Sequence, residues 1–298
     1  MGGMISRFDG RANLADARHD APCGFGGVGF FAAAEYDRAQ MSRTETIRDH
    51  GQIQFPVAAY ASTAVLIATA VASLSAYRLS ARFREPSPAR AVAILQRWCR
   101  SACARLRLDV QVHGTMASTP RVYVANHRSY LDIPVLSATL GATFLSRADV
   151  SAWPIIGAVA REIDAVFVNR DETHARVRAA RALVERVGTL NLVVFPEGTT
   201  NGEHLPRPFH VGVFRLLHRV GAAVVPVTIR YSDRRAYWTD DIGLWQHLRT
   251  RVFAGPRLVA AVHIGAALRP QEYPDGASFA RAAHAAVCQP IEQLGESA

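Results

Sequence analysis

The sequence contains no lysine, so arginine supplies all 34 basic residues against 25 acidic ones, for a net charge of +9 at pH 7. Exclusive use of arginine is typical of a biased genome composition and carries no function by itself. The net positive charge favours anionic partners, namely phosphate groups, anionic lipid surfaces or nucleic acid. Nucleic acid is disfavoured, because the arginines are dispersed and no basic patch is interleaved with aromatic residues.

Cysteine is scarce as well, and its spacing excludes two kinds of protein. The four cysteines form no CxxC pair and no disulfide framework, which indicates a reducing compartment and disfavours a zinc site. A G-x-S-x-G segment, the motif of serine lipases and thioesterases, is absent too. The cysteines are Cys23, Cys99, Cys103 and Cys288.

Apolar residues are concentrated in one run near the N-terminus, Phe55 to Tyr77, which carries no charged side chain over 23 residues. About 20 such residues cross a bilayer as a helix, so the run predicts a transmembrane or membrane-inserted helix. A buried core helix is the alternative. Six arginines follow between Arg78 and Arg100. Because positive flanks stay in the cytoplasm, we expect an inner-membrane protein whose remaining chain is cytoplasmic.

Composition divides the chain into four segments. Residues 1–50 mix Gly, Ala, Arg and Asp without a period and predict a disordered leader, and residues 51–84 hold the membrane helix with its basic flank. Residues 85–275 predict one domain, which begins with a basic interfacial helix over Ala89–Leu106. Residues 276–298 predict a C-terminal helix and tail.

From Leu108 onward, short apolar strands alternate with helices, which predicts an α/β fold. We expect a mostly parallel central sheet with helices on both faces, preceded by the N-terminal membrane helix. The predicted strands are Leu108–His113, Val122–Ala125, Thr143–Ser146, Ala165–Val168, Leu192–Phe195, Ala223–Ile229 and Leu258–Ile264. The predicted helices are Ile133–Leu140, Glu172–Val187, Val211–Val220 and Ala277–Leu294.

Polar residues gather directly after the predicted strand Val122–Ala125, where sites form in open α/β sheets. His127 and Asp132 lie five residues apart, which is too far around a regular helix for pairing but within reach across a turn. As a helix N-cap, Asp132 could hold the imidazole by its carboxylate and leave the other ring nitrogen to take a proton. An N-cap aspartate beside an unrelated histidine explains the same spacing, and the sequence leaves both interpretations open.

Two further clusters follow predicted strands. Pro196 ends a strand, and Gly198 and Gly202 allow backbone N–H groups to turn toward an anionic or carbonyl oxygen. Arg170 follows the strand Ala165–Val168, where it is either an ordinary surface arginine or a phosphate clamp.

Taken in this order, the motifs resemble those of the glycerolipid acyltransferase family, the lysophosphatidic acid acyltransferases of bacterial membranes. The family's His-x4-Asp, Phe-Val-x-Arg, Phe-Pro-Glu-Gly and Val-Pro-Val motifs have counterparts here, and the resemblance extends from about Arg84 to Pro270. The matching residues are Asn126, His127 and Asp132; Phe167, Val168 and Arg170; Phe195, Pro196, Glu197 and Gly198; and Val225, Pro226 and Val227.

The resemblance implies an O-acyltransferase that moves a fatty acyl group from acyl-CoA or acyl carrier protein to a lysophospholipid hydroxyl. The expected acceptor is 1-acylglycerol-3-phosphate, membrane lipids are expected partners, and no metal or bound cofactor is expected. The resemblance further implies His127 as the general base and Asp132 as the carboxylate that orients it. Substrate contacts are expected from Asn126, Arg170, Glu197, Gly198 and Thr199.

Two positions depart from the family pattern. Thr200 stands where many members have an arginine after Phe-Pro-Glu-Gly-Thr, and Asp164 stands where many have a glycine. The missing arginine leaves room for another acceptor, such as lyso-ornithine lipid. A non-catalytic, basic, membrane-anchored lipid-binding module would explain the charge, but not the placement of His127 and Asp132 at a strand end.

Overall fold

The structure, a computed structural model, describes residues 57–119, 121–147, 151, 156–168, 173–239 and 242–295. The predicted leader, residues 1–50, and Arg170 lie outside the described residues. The predictions made for them, and the predicted bounds of the four segments, stay predictions.

Two N-terminal helices form an antiparallel hairpin. Helix α1 (Val57–Ser80) contains residues 57–77 of the apolar run, and its segment Ala61–Ser80 is long and apolar enough to cross a membrane. Helix α2 (Pro88–Arg105) begins with a proline at its first position, where the missing N–H has no helical partner to lose, and Ser87 is its N-cap. The indole N–H of Trp98 donates to the hydroxyl of Thr69 at 3.1 Å. The C-terminal half of α2 therefore lies against the middle of α1.

The rest of the described chain alternates strands and helices. The strands are β1 (Leu108–His113), β2 (Val122–Ala125), β3 (Ala142–Arg147), β4 (Val166–Val168), β5 (Asn191–Val194), β6 (Val224–Tyr231) and β7 (Leu258–Ile264). The helices are α3 (Asp132–Leu140), α4 (Ile156–Glu162), α5 (Thr173–Arg186), α6 (Val211–Arg219), α7 (Leu244–His247) and α8 (Gly276–Gly295). Helix α7 continues as a π-helical turn over Leu248–Val252.

The strands form one seven-stranded sheet in the order β1-β7-β6-β2-β5-β3-β4. Neighbouring strands are parallel except β6 and β7, which pair antiparallel with Val227 opposite Ile264. The predicted α/β class with a mostly parallel sheet is thus confirmed. The antiparallel pair reverses β7 and its neighbour β1 relative to the other five strands.

Helices cover both faces of the sheet and give each face its own core. All four residues of β2 are buried, which is the pattern of a strand covered on both sides. One core holds Leu136 and Tyr231 together with the inner face of α2. The other core holds Phe214 of α6 and Phe279 of α8, so the C-terminal helix packs as part of the same folded unit as the sheet.

The order of the central strands determines where polar loops meet. Strands β5 and β6 flank β2 and run parallel to it, so the carboxyl ends of all three lie at one edge. The turn that follows β2 (126–131) therefore lies beside the loop that follows β5 (195–210). The backbone N–H of Asn201 donates to the carbonyl of His127 at 2.9 Å, which joins the two segments directly.

Candidate active site

His127 and Asp132 meet in the turn that joins β2 to α3. Nδ1 of His127 lies 2.7 Å from Oδ2 of Asp132. The Asp132 side chain is fully buried, whereas 18% of the His127 side chain is exposed. The structure thus brings the two predicted residues together. Because Nδ1 is engaged with a carboxylate, Nε2 is the ring nitrogen left to take a proton from a substrate.

Asp132 reaches His127 from the first turn of α3, not from the N-cap position that the sequence predicts. Its carboxylate turns back over the preceding residues, where Oδ2 also accepts the backbone N–H groups of Arg128 and Ser129 at 2.6 and 3.0 Å. An N-cap would instead accept N–H groups that follow it in the helix. The five-residue spacing therefore wraps a tight turn around the carboxylate.

The loop after β5 holds His127 from its other sides. The imidazole stacks on the ring of Phe195, with centroids 4.1 Å apart and an angle of 16° between the planes. The backbone N–H of His127 donates to Oε1 of Glu197 at 2.8 Å. Ring, amide and carbonyl are thus all engaged, which fixes the direction in which the free ring nitrogen points.

Asn126 and Glu197, two of the predicted substrate-binding residues, are buried, with their polar atoms engaged by the protein. Oε2 of Glu197 accepts Nδ2 of Asn201 at 3.1 Å and the backbone N–H of Arg207 at 2.8 Å. The Asn126 amide exchanges two hydrogen bonds with the backbone of Ile229, at 3.0 and 2.8 Å. The structure gives both side chains a bracing role, and their contact with a substrate stays a prediction.

Gly198 and Thr199, the other predicted contacts among the described residues, line a cavity beside His127. Gly198 has a φ of +78°, a left-handed conformation that favours glycine. Its N–H donates to the carbonyl of Phe195 at 3.1 Å, so it closes the turn and does not face an incoming oxygen. The N–H of Thr199 is therefore the candidate donor to a negatively charged oxygen.

The cavity has a volume of about 1060 Å³ and runs from His127 into apolar surroundings. Its walls come from α1, α2, α3, α4 and β3, and also from α5 and α6 on the other face of the sheet. On the side of the hairpin it is lined by Leu66, Ala70, Leu74, Ile94, Leu95 and Trp98. A large apolar cavity with one polar end fits a hydrocarbon chain whose reactive group meets the histidine.

Arg128 is a site residue that the sequence analysis missed. Only 1% of it is exposed, and its guanidinium donates to the carbonyls of Asn201, Glu203 and His204 at 3.1, 2.7 and 2.7 Å. The cation also faces the ring of Tyr237 at 5.3 Å. This buried side chain clamps the loop after β5 to the turn after β2. Its partners lie more than 70 positions away, so no local pattern indicates them.

Tyr231, the last residue of β6, was also missed. Its hydroxyl donates to Oδ1 of Asp132 at 2.7 Å. Burial and the neighbouring Asp132 carboxylate raise the pKa of Tyr231 well above its ordinary value of 10, so the hydroxyl remains a donor. The Val-Pro-Val motif ends four residues earlier and gives no sign of this contact.

The two buried cysteines of α2 are unsuited to nucleophilic catalysis. Burial raises the pKa of Cys99 to about 12 and the pKa of Cys103 to about 11, so neither is a thiolate nucleophile at neutral pH. Across the described ranges, no group of three or more His, Cys, Asp or Glu side chains is placed to hold a metal ion.

Comparison with known proteins links this geometry to one family. Residues 109–230 match the family model described as acyltransferase. The chain is 38% identical over 197 residues to a lyso-ornithine lipid O-acyltransferase of Pseudomonas aeruginosa, which covers 64% of this chain and 75% of that protein. It is 29% identical over 153 residues to a 1-acyl-sn-glycerol-3-phosphate acyltransferase of Neisseria gonorrhoeae, which covers 49% of this chain and 60% of that protein.

A solved structure has the same fold. The crystal structure of the 1-acyl-sn-glycerophosphate acyltransferase from Thermotoga maritima aligns with a TM-score of 0.62 and 19% identity, over 82% of this chain and 97% of that one. At this identity the likeness concerns the fold alone.

Proposed function

This chain belongs to the acyltransferase family and is an O-acyltransferase acting on a lysolipid, and we propose that its acceptor is lyso-ornithine lipid and its donor a fatty acyl thioester. The donor is acyl-CoA or acyl carrier protein. The observation that carries the mechanism is the 2.7 Å contact between His127 and Asp132 at the polar end of an apolar cavity.

In the proposed reaction, Nε2 of His127 takes the proton of the acceptor hydroxyl as its oxygen attacks the thioester carbonyl. Asp132 accepts Nδ1–H and balances the charge of the imidazolium that forms. The tetrahedral oxyanion lies toward the N–H of Thr199, where a correctly aimed donor contributes about 3 kcal/mol. Cleavage of the C–S bond then releases the thiolate, which receives the proton from His127.

Direct transfer, without a covalent acyl-enzyme, is supported by the environment of the cysteines. Cys99 lines the cavity, but burial keeps the pKa of its thiol at about 12. A thiol in that state is a poor nucleophile toward a thioester. His127 is therefore proposed to act on the acceptor hydroxyl itself.

The choice of lyso-ornithine lipid is supported by two observations. Relatives of that name from Rhizobium meliloti and Rhodobacter capsulatus, each 33% identical to this chain, accompany the Pseudomonas protein. Thr200 stands where many members of the family have an arginine, and without that guanidinium the loop after β5 offers less charge to a phosphate. The similarity to the Neisseria protein makes 1-acylglycerol-3-phosphate the second candidate acceptor.

We also propose that the hairpin enters only one leaflet, the cytoplasmic leaflet of the inner membrane, with the sheet domain in the cytoplasm. The contact between Trp98 and Thr69 places the C-terminal half of α2 beside the middle of α1. A spanning α1 would therefore carry the exposed Arg97, the neighbour of Trp98, to the bilayer centre, at roughly 2.5–3.5 kcal/mol. It would carry the exposed Arg105, about 10 Å further along α2, into the opposite leaflet. A shallow hairpin keeps both arginines at the headgroups.

The outer face of α1 supports this placement. Its large apolar side chains remain exposed, as does that of Phe83 in the connection to α2. An exposed apolar helix face beside basic residues is the pattern of a helix that lies in the membrane interface. The exposed residues are Val65, Ile67, Val71, Leu79 and Phe83.

Acyl transfer by the purified protein tests the proposed reaction. Lyso-ornithine lipid and 1-acylglycerol-3-phosphate are presented in the same mixed micelles, with acyl-CoA and acyl carrier protein as donors in separate reactions. We expect His127-dependent acylation of lyso-ornithine lipid at the higher kcat/KM. Faster acylation of 1-acylglycerol-3-phosphate would instead establish the second acceptor, and no transfer to either would contradict both.

A further inference from the structure

Tyr231 occupies a position that the reaction described above does not use. It ends β6, two residues beyond Ile229, whose backbone is hydrogen-bonded to Asn126 at the start of the turn. The end of β6 is therefore fixed relative to the turn that carries His127. Tyr231 itself is 8% exposed, and its hydroxyl lies inside the protein.

The hydroxyl completes the hydrogen bonding of Asp132. Oδ2 accepts three donors, namely His127 Nδ1 and the backbone N–H groups of Arg128 and Ser129. Oδ1 accepts the Tyr231 hydroxyl at 2.7 Å. Since Asp132 is fully buried, an oxygen without a donor would remain both unsolvated and unpaired. Without the Tyr231 hydroxyl, the carboxylate can rotate about the Cβ–Cγ bond and turn Oδ2 away from the imidazole.

We propose that Tyr231 is a positioning residue for acyl transfer: its hydroxyl holds Oδ1 of Asp132 so that Oδ2 stays aimed at Nδ1 of His127. The inference rests on the proposed role of His127 as the general base. Tyr231 touches neither substrate in this scheme. Its effect therefore falls on the chemical step and leaves substrate binding unchanged.

The test is Tyr231→Phe in the full-length protein, with kcat and both KM values measured well below the melting temperature. We expect kcat to fall about tenfold, the size of one hydrogen bond to a charged group, with both KM values within twofold of wild type. Tyr273→Phe is the matched control, because it removes a tyrosine hydroxyl from a ring that packs on Phe279 in the other core, away from the turn that carries His127. We expect it to retain the wild-type kcat.

A double-mutant cycle separates positioning from packing. In an Asp132→Asn background the carboxylate is gone, so we expect Tyr231→Phe to change kcat by less than twofold. Equal losses in both backgrounds, or an unchanged kcat in the single variant, would overturn the inference. So would a loss expressed as a higher KM.

One further variant guards against a folding defect. If Tyr231→Phe melts early, 4-aminophenylalanine at position 231 keeps the ring and a neutral donor, and we expect it to restore most of kcat. Loss of activity in a well-folded 4-aminophenylalanine protein would contradict the role. His127→Ala distinguishes failure of the proposed function from failure of this inference. If His127→Ala stays active, the proposed function fails. If His127→Ala is inactive and Tyr231→Phe is fully active, this inference alone is overturned.

Discussion

Two regions border the same cavity and are held in opposite ways. Directional hydrogen bonds hold His127 and Asp132 in and beside the turn after β2. His127 is held through its ring nitrogen, its backbone amide and its carbonyl, and Asp132 accepts four donors. The buried Arg128 then clamps the turn to the loop after β5.

The hairpin has few such contacts. Between α1 and the rest of the protein, Trp98 bonds to Thr69, Tyr77 bonds to the backbone of Ser87, and Arg78 pairs with a glutamate of α4. The rest of the hairpin wall of the cavity consists mainly of aliphatic side chains. Their attraction depends on the area in contact and hardly on direction.

The difference separates two properties of the enzyme. Hydrogen bonds lose strength steeply with angle, so the turn holds the base to a narrow geometry. Apolar contacts tolerate small displacements, so the hairpin can adapt to chains of different length. We therefore expect changes in the turn to lower the rate of chemistry and changes in the hairpin to alter which chain is accepted.

The largest effect is expected at the base itself. His127→Ala removes the proton acceptor, and we expect kcat to fall by about 10²–10⁴-fold with the melting temperature retained. Asp132→Asn holds the ring without balancing its charge and is expected to be nearly as severe, and the double variant little worse than either. His204→Ala, which changes an exposed histidine, is the control for both. A folded His127→Ala protein with a near wild-type rate of acyl transfer would contradict the role of His127 as the base.

Arg128→Met comes next, because it removes the clamp between the two loops while keeping most of the stem. Three carbonyls lose a charged donor, and we expect a loss of about 2–4 kcal/mol in the free energy of unfolding together with a lower kcat. Thermal unfolding and single-turnover rates measure the two effects. Arg207→Met is the control, since its guanidinium pairs with Glu203 at the surface, where such pairs contribute roughly 0–1 kcal/mol.

The hairpin side of the comparison is tested by filling the cavity. Ala70→Phe places a ring where Ala70 lines the wall, and we expect kcat/KM for long acyl chains to fall about tenfold relative to short chains. Ala68→Phe adds the same ring to the exposed face of α1 and should leave chain preference unchanged. Competition between donors of two chain lengths in one reaction gives the ratio directly. Equal loss for all chain lengths would show that the wall acts on chemistry as well.

The smallest expected effect is on the stability of the fold in acid, through His247, which is hydrogen-bonded to Tyr130 of the turn after β2. Burial is the main cause that lowers the pKa of His247, which accepts the Tyr130 hydroxyl at 3.1 Å and donates to the carbonyl of Tyr237. The folded state therefore binds this proton less readily than the unfolded state. The stability that the neutral His247 contributes is therefore present above about pH 6.5, the pKa of a histidine in the unfolded chain, and is lost as the pH falls below that value.

We accordingly expect the melting temperature to fall between pH 7.5 and pH 5.5, by an amount equivalent to about 1 kcal/mol or less. His247→Gln should flatten this dependence, and His204→Gln, at an exposed histidine, should not. Parallel curves for wild type and His247→Gln would refute the assignment.

Much of the fold could be predicted because its signals are local. The bounds of β1, β2 and β7 agree with the apolar runs that predicted them, since short strands flanked by polar residues have clear ends. Helix α4 was missed, because its seven residues are too few to show a period. The antiparallel pairing of β6 with β7 was missed as well, because strand direction depends on the path of the chain between them.

The residues of the site also divide into those with a local sequence signal and those without one. His127 and Asp132 lie within one turn, so their spacing contains the information for pairing. Tyr231 is 99 positions from Asp132, and only the pairing of β2 with β6 in the sheet brings the two residues together. The same applies to the buried Arg128, whose charge would have argued for the surface. Partners distant in sequence leave no pattern that spacing alone can detect.

Helix α1 has different surroundings on its two sides. In the proposed placement, one face contacts the substrate chain and the other contacts lipid, with the width of a single helix, about 10 Å, between them. The ordering of the surrounding lipid then acts on the cavity wall without any signal passing through the sheet. Chain preference thereby becomes a joint property of the enzyme and the bilayer it modifies.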